Sequence, residues 1–309
     1  MKKLLPFVFA LALLGCVPET PTEIPATTTT IPATTTTVAP ATSTTIPASS
    51  GAVLTPSGGD DTARLVAAIA ANPVVTVDGA LKIDQIAALN GLSNKTITFT
   101  SRGKLVRSVR PDVRTFQLLA LKNTTNITFN NLQIQGPNIQ VCDFISYLTG
   151  KPNYIRVGYS EKHEAQHGLE VFASNGTKVN GGRIYGMSGD GVYIAGGSDG
   201  TTISNLTTEC TGRSAVSNVN SRNTTINGGQ FHIAAFWIFN IEPTGSWSVD
   251  NYKINNPRVG YSNWYWLMSA GPYFSCLVTN VVVDKPVFME FQGATSIKPC
   301  VTSGIRINF

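Results

Sequence analysis

From residue 167 onward the chain alternates apolar and polar positions in short runs, each closed by a turn rich in Gly, Asn, Asp or Ser. Four consecutive stretches align on a step of 23 to 24 residues: 167–189, 190–212, 213–236 and 237–260. Val179, Ile203, Ile226 and Val249 fall in one column, each just after a polar turn. Ile184, Thr208, Phe231 and Ile254 form a second column five residues further on. A period of this size leaves no room for a helix inside each repeat. A coil in which every repeat forms one turn buries a continuous column of inward side chains, which a lone repeat could not do. The pattern predicts an all-β parallel β-helix with 23 to 24 residues per coil.

Strand alternation turns the neighbours of the second column outward. Two exterior columns follow: Arg183, Thr207, Gln230, Lys253, and Tyr185, Glu209, His232, Asn255. Neighbouring parallel strands lie about 5 Å apart, so Tyr185, Glu209 and His232 are expected to touch. Asp190 and Arg213 occupy equivalent positions on successive coils and are expected to form a salt bridge across the adjoining turn. The set offers an imidazole and carboxylates for proton transfer, a phenol, and in Arg183 and Arg213 cations to hold an acidic sugar. A solvated outer face that keeps water off the backbone is the other reading of the same columns.

Ahead of the repeats, residues 57–79 place Asp60 and Asp61 before a helical pattern with Leu65 and Ile69 on one face, stopped by Asn72-Pro73. Either aspartate can cap the first turn. An amphipathic helix here would cover the open end of the coil, whose first strand otherwise exposes unpaired backbone. Segments 94–105 and 115–138 read as early coils, and 139–165 breaks the register as a loop thrown out of the coil. The six Asn-x-Ser/Thr triplets, at Asn94, Asn123, Asn126, Asn175, Asn205 and Asn223, suit tight turns because Asn tolerates left-handed backbone.

The beginning of the chain is of another kind. Lys2 and Lys3 precede an apolar run from Leu4 to Leu14, too short to cross a bilayer and interrupted by Pro6, which reads as a secretory signal over residues 1–16. Leu13-Leu14-Gly15-Cys16 resembles a bacterial lipobox, and the resemblance makes Cys16 the lipidated residue. An ordinary secretory signal with an incidental Cys16 is the alternative. Residues 17–50 are almost wholly Thr, Pro, Ala and Ser, a solvated linker, and the folded domain is expected over 51–309. These features place the chain outside the cell, anchored to the membrane by lipid alone.

Only 13% of residues are charged and the net charge is +5, with no basic cluster in the folded part, which argues against a nucleic-acid partner. Besides Cys16 there are Cys142, Cys210, Cys276 and Cys300, an even count that allows two disulfides in an exported chain. Cys276 and Cys300 stand one repeat apart and are expected to pair. Parity and the neighbouring loop suggest Cys142 with Cys210, and four buried thiols are the alternative.

Gly58-x-Asp60-Asp61-Thr62, an Ala-rich helix and Val75-x-Val77-x-Gly79 together resemble the opening of pectin-lyase-like right-handed parallel β-helix proteins. That group includes polysaccharide lyases, polygalacturonases and phage tailspikes. The resemblance covers about residues 51–309, implies a right-handed coil and makes Asp60 and Asp61 structural. Polygalacturonases carry N-T-D, D-D and G-H-G on three successive coils. The matching positions here are Gln166-His167-Gly168, Asp190-Gly191 and Gly212-Arg213-Ser214, so of the carboxylates only Asp190 survives. Glycoside hydrolysis ordinarily needs two carboxylates. Calcium-dependent pectate lyases need several converging on the metal, and here only Asp190 and Glu209 are candidates, so no cofactor is expected and calcium is weakly supported.

A metal-free lyase stays open, with Tyr185 or His232 as base and Arg183 or Arg213 on the uronate carboxylate. Trp264 and Trp266 fall on one face of 260–274, where they either present a stacking platform for sugar rings or fill the last coils. Glu242 stands before Pro243 and reads as a structural turn carboxylate. The expected function is a polysaccharide-active surface protein, with lyase chemistry on acidic glycans ahead of hydrolysis. A non-catalytic glycan-binding or adhesive module is the alternative.

Overall fold

Strand Lys178–Tyr185 pairs in parallel with Thr125–Gln135 on one side and Thr202–Thr211 on the other, setting Val179 beside Ile203 and Ile184 beside Thr208. The same step continues from Ile203 to Ile226 and from Thr208 to Phe231. The computed structural model describes residues 51–138, 161–243, 248–262, 268–270, 277–290 and 303–308. Across these residues successive coils build a first sheet of seventeen strands and a second sheet of seven. The result is a parallel β-solenoid of about seven turns. The inward columns are fully buried, and Tyr252, Phe129, Phe231 and Phe239 are the largest fully buried side chains among the described residues.

The fourth repeat departs from the expected register. Ile226 pairs with Ile254 and Ser221 with Val249, whereas Phe231 pairs with Val259. Lys253 and Asn255 therefore lie beside Thr225 and Asn227, and the outer columns continue from Gln230 and His232 to Arg258 and Gly260. The cause is a longer turn between strands Phe239–Ile241 and Ser248–Asn255, which delays the next strand by five residues relative to the preceding coils. Val249 and Ile254 are both buried in either alignment, so apolarity alone could not distinguish them.

Helix Thr62–Ala71 packs Leu65 and Ile69 into the core against strands Ala52–Leu54, Val74–Val77 and Ala87–Asn90. Asp60 makes the N-terminal hydrogen bond, its Oδ1 accepting from the Thr62 N–H at 3.0 Å. Asp61 instead accepts from the Ser57 N–H at 3.1 Å and pairs with Arg64. Asn72 closes the helix by donating from Nδ2 to the Ala68 carbonyl at 2.8 Å. Of the Asn-x-Ser/Thr asparagines, 94, 123, 126, 205 and 223 have positive φ, the backbone role expected of them. They also bond from coil to coil, as when Asn126 Nδ2 donates to Asn94 Oδ1 at 3.1 Å.

Two polar side chains pin the segment 111–117 to the coil. Arg107, 2% exposed, donates to the carbonyls of Ile83 (3.0 Å), Gln85 (2.6 Å), Phe116 (2.9 Å) and Gln117 (3.2 Å). Burial pulls its pKa down to about 10, which still leaves it charged at neutral pH. Gln166 Nε2 donates to the carbonyls of Pro111 (2.7 Å) and Val113 (2.6 Å). The signal and linker over 1–50 with Cys16, loop residues 139–160 with Cys142, and Trp264, Trp266, Cys276 and Cys300 lie outside the described residues. Cys210 is disulfide-bonded.

Candidate functional site

The structure divides the expected site into two clusters on different sheets. Tyr185, Glu209 and His232 are register neighbours on the outer face of the first sheet. His232 Nε2 stands 3.0 Å from Glu209 Oε2, Arg183 pairs with Glu209 Oε1, and the Arg183 guanidinium lies 4.2 Å over the Tyr185 ring. Burial pushes the Glu209 carboxyl up, but hydrogen bonds from His232 and Arg183 outweigh it and hold the group below its usual range. Burial raises the Tyr185 phenol. Both Glu209 oxygens are occupied, and the phenol is a poor base.

Asp190 and Arg213 belong to the second cluster, where the chain turns into the strands of the second sheet. The Asp190 side chain is fully buried; its Oδ1 accepts from the Ser214 N–H at 2.8 Å and its Oδ2 from Arg213 Nη1 at 3.0 Å. A carboxylate so enclosed cannot meet a substrate, so Asp190 positions Arg213 rather than reacting. The other arm of Arg213 reaches across the outer face of the three-residue strand Phe239–Ile241, and Nη2 donates to Glu242 Oε2 at 2.5 Å. Asn240 Nδ2 donates to the same oxygen at 2.9 Å. Among the described residues, both hydrogen bonds to Glu242 fall on Oε2 and none on Oε1.

His167, on the preceding coil, accepts the Asp190 backbone N–H at Nδ1 (3.1 Å), which puts its ring proton on Nε2. Its ring stacks on Tyr193, with centroids 4.4 Å apart and 2° between planes. Burial takes the His167 pKa down to about 4, against the pull of Asp190, so the ring is neutral. Burial pushes Tyr193 up to about 12, so its hydroxyl keeps its proton. Burial by itself would lower Arg213, but Asp190, Glu242 and Glu164 raise it far above its ordinary value.

His167, Tyr193, Arg213 and Glu242 line a cleft of ≈ 300 Å³, closed on one side by Thr115 and the Arg114–Glu164 ion pair. That wall is possible because Gly189 lets the chain approach: a Cβ there would lie 2.4 Å from the Glu164 carbonyl oxygen. Asp190 and Glu209 therefore serve different sheets and do not converge on a cation. Among the described residues no group of three or more His, Cys, Asp or Glu is arranged to hold a metal ion.

His167 supplies a pH signature. Its folded value lies below the ordinary imidazole value of 6.5, so the neutral ring stabilises the fold fully above pH 6.5. That stability is lost as pH falls from 6.5 toward 4, in total about 3 kcal/mol. Glu170, raised by burial, shifts stability the opposite way, so the comparison must be with a variant. His167→Gln keeps an acceptor for the Asp190 N–H, and its melting temperature should fall less between pH 7 and 4.5 than that of the parent. Equal slopes would contradict the neutral assignment.

Sequence reasoning did not single out Glu164, Arg114 and Tyr193, and it read Glu242 as a structural turn carboxylate. The available signal was the triplet of motif positions at 166–168, 190–191 and 212–214, which do converge here although their carboxylates are mostly replaced. No protein-family model matches this chain, and no curated protein matches its sequence.

Proposed function

We propose that this protein is an exported polysaccharide-binding β-helix of pectin-lyase-like type, and that the cleft over the second sheet holds sugar without breaking it. The observation that carries the reading is the bridge from Asp190 through Arg213 to Glu242, set beside the Tyr193 ring. It fixes one carboxylate oxygen and leaves the other to accept sugar hydroxyls, with the Tyr193 hydroxyl in the same cleft as a donor. Glycosidase chemistry wants an acid with a raised pKa opposite a second carboxylate. Here Asp190 is enclosed, His167 is neutral with its pKa lowered to about 4, and Tyr193 keeps its proton with its pKa raised to about 12. Preorganised binding is what such a closed network does well.

Glu242→Gln tests the reading on the whole protein. Oε2 accepts from two donors, so the amide carbonyl oxygen takes that place and the NH2 replaces the acceptor Oε1, turning a donor into the cleft. Affinity for the bound glycan should fall at least tenfold while the melting temperature moves by only a few degrees, because Glu242 is 24% exposed. Unchanged affinity would remove the cleft from consideration.

A second reading, elimination on an acidic glycan at Tyr185, Glu209 and His232, is favoured by Arg183, whose side chain is 48% exposed beside them. The same samples, given a uronate polymer, should show no rise in ultraviolet absorbance. A rise that His232→Ala abolishes would put this reading first. Surface display rests on residues 2–16, and Cys16→Ser should move the protein from the membrane fraction to the soluble one; retention would refute lipid anchoring.

A further inference from the structure

Beside the cleft lies a second cavity of ≈ 620 Å³, lined by Asp112, Val113, Arg114, Lys162 and Glu164. The two cavities share Arg114 and Glu164, whose ion pair stands between them. Their charges decide what could occupy both. Arg213 is committed to Asp190 and Glu242, and Arg114 is committed to Glu164. Among the described residues lining the two cavities, three carboxylates (Asp112, Glu164 and Glu242) face three cations (Arg114, Lys162 and Arg213), with Asp190 buried behind Arg213, so the lining holds no surplus positive charge. A uronate carboxylate docked at Arg213 would therefore meet Glu242 and, behind it, Asp190. Hydroxyl groups fit the same lining: Glu242 Oε1 accepts, and the Tyr193 hydroxyl keeps its proton. Val113, 48% exposed, gives the second cavity an apolar floor for a sugar C–H face.

We infer that the ligand is an uncharged polysaccharide, and that its chain runs from the cleft past the Arg114–Glu164 pair into the second cavity. This rests on the sugar-binding reading and deepens it by naming the sugar class and its direction. The sequence pointed the other way, toward acidic glycans, because Arg183 and Arg213 were read as cations that hold an acidic sugar, with Arg213 expected to pair with Asp190 alone.

The test is calorimetric titration of the whole protein with homologous oligomers of two to six residues. One set is neutral (hexose and N-acetylhexosamine) and one is oligogalacturonate. Neutral oligomers should bind at least tenfold tighter than uronates of equal length, and their affinity should rise about tenfold between the shortest and the longest. Val113→Trp, which fills the second cavity at a half-exposed position, should cancel that rise, so that long oligomers bind like short ones. Tighter binding of uronates, or affinity independent of length, overturns this inference and leaves the sugar-binding reading standing. No binding of either set overturns both.

Discussion

Arg213→Met should lower stability by roughly 3–5 kcal/mol at pH 8, because it strands the fully buried Asp190 carboxylate. For a domain of this size that corresponds to a fall on the order of 10 °C in melting temperature. The loss should be smaller at pH 5, for a specific reason. Arg213 lowers the His167 pKa and Asp190 raises it, with His167 Nδ1 standing 3.4 Å from Asp190 Oδ2. Without Arg213 the imidazole takes a proton more readily and supplies the missing cation. Adding Asp190→Asn should restore most of the stability at pH 8, since the buried charge is then gone. Thermal melts of both variants at the two pH values check this. A pH-independent loss, or no recovery in the double variant, would show that Arg213 acts through packing.

The second large effect belongs to Arg107, far from any carboxylate partner in its hydrogen bonding. Its guanidinium serves four carbonyls on two segments, 83–85 and 116–117, and methionine would remove the donor from each. Each unpaired group costs about 1–3 kcal/mol, partly relieved by water, so Arg107→Met should cost roughly 3–5 kcal/mol. Lysine should recover little, because a single ammonium lacks the planar fork that reaches several acceptors. The damage should also travel to the cleft. Residues 111–117 would lose the Arg107 bonds and keep the Gln166 contacts, the Thr115–Ala165 bridge and the Arg114–Glu164 pair, so their amides should exchange faster with solvent and glycan affinity should drop. A melting temperature within about 2 °C of the parent would disprove the pin.

The candidate site was legible in part. Tyr185, Glu209 and His232 are neighbours because they share one strand position on consecutive coils, and a period of 24 then 23 residues shows that directly. The Asp190–Arg213 pair was visible on the same ground. What it belongs to was not visible. Glu242 leaves its strand at the end opposite to where Arg213 enters the coil, and only because that strand is three residues long can one side chain span it. Glu164 and Arg114 come from chain outside the strict repeat, brought in by the Thr115–Ala165 bridge.

The sequence by itself determined the coil: alternation selects which side chains face in, the step selects which stack, and asparagine marks the turns that tolerate positive φ. These are local rules, repeated until a continuous core results. Only the tertiary structure decided where the fourth repeat resumes, since Val249 and Ile254 satisfy burial equally well and the length of a turn leaves no periodic trace. It also decided that two clusters exist rather than one, and that Arg213, expected to pair with Asp190, is shared with Glu242. Periodicity reports neighbours along a column, while charge partners are chosen by reach across a surface, and that reach depends on every element packed around it.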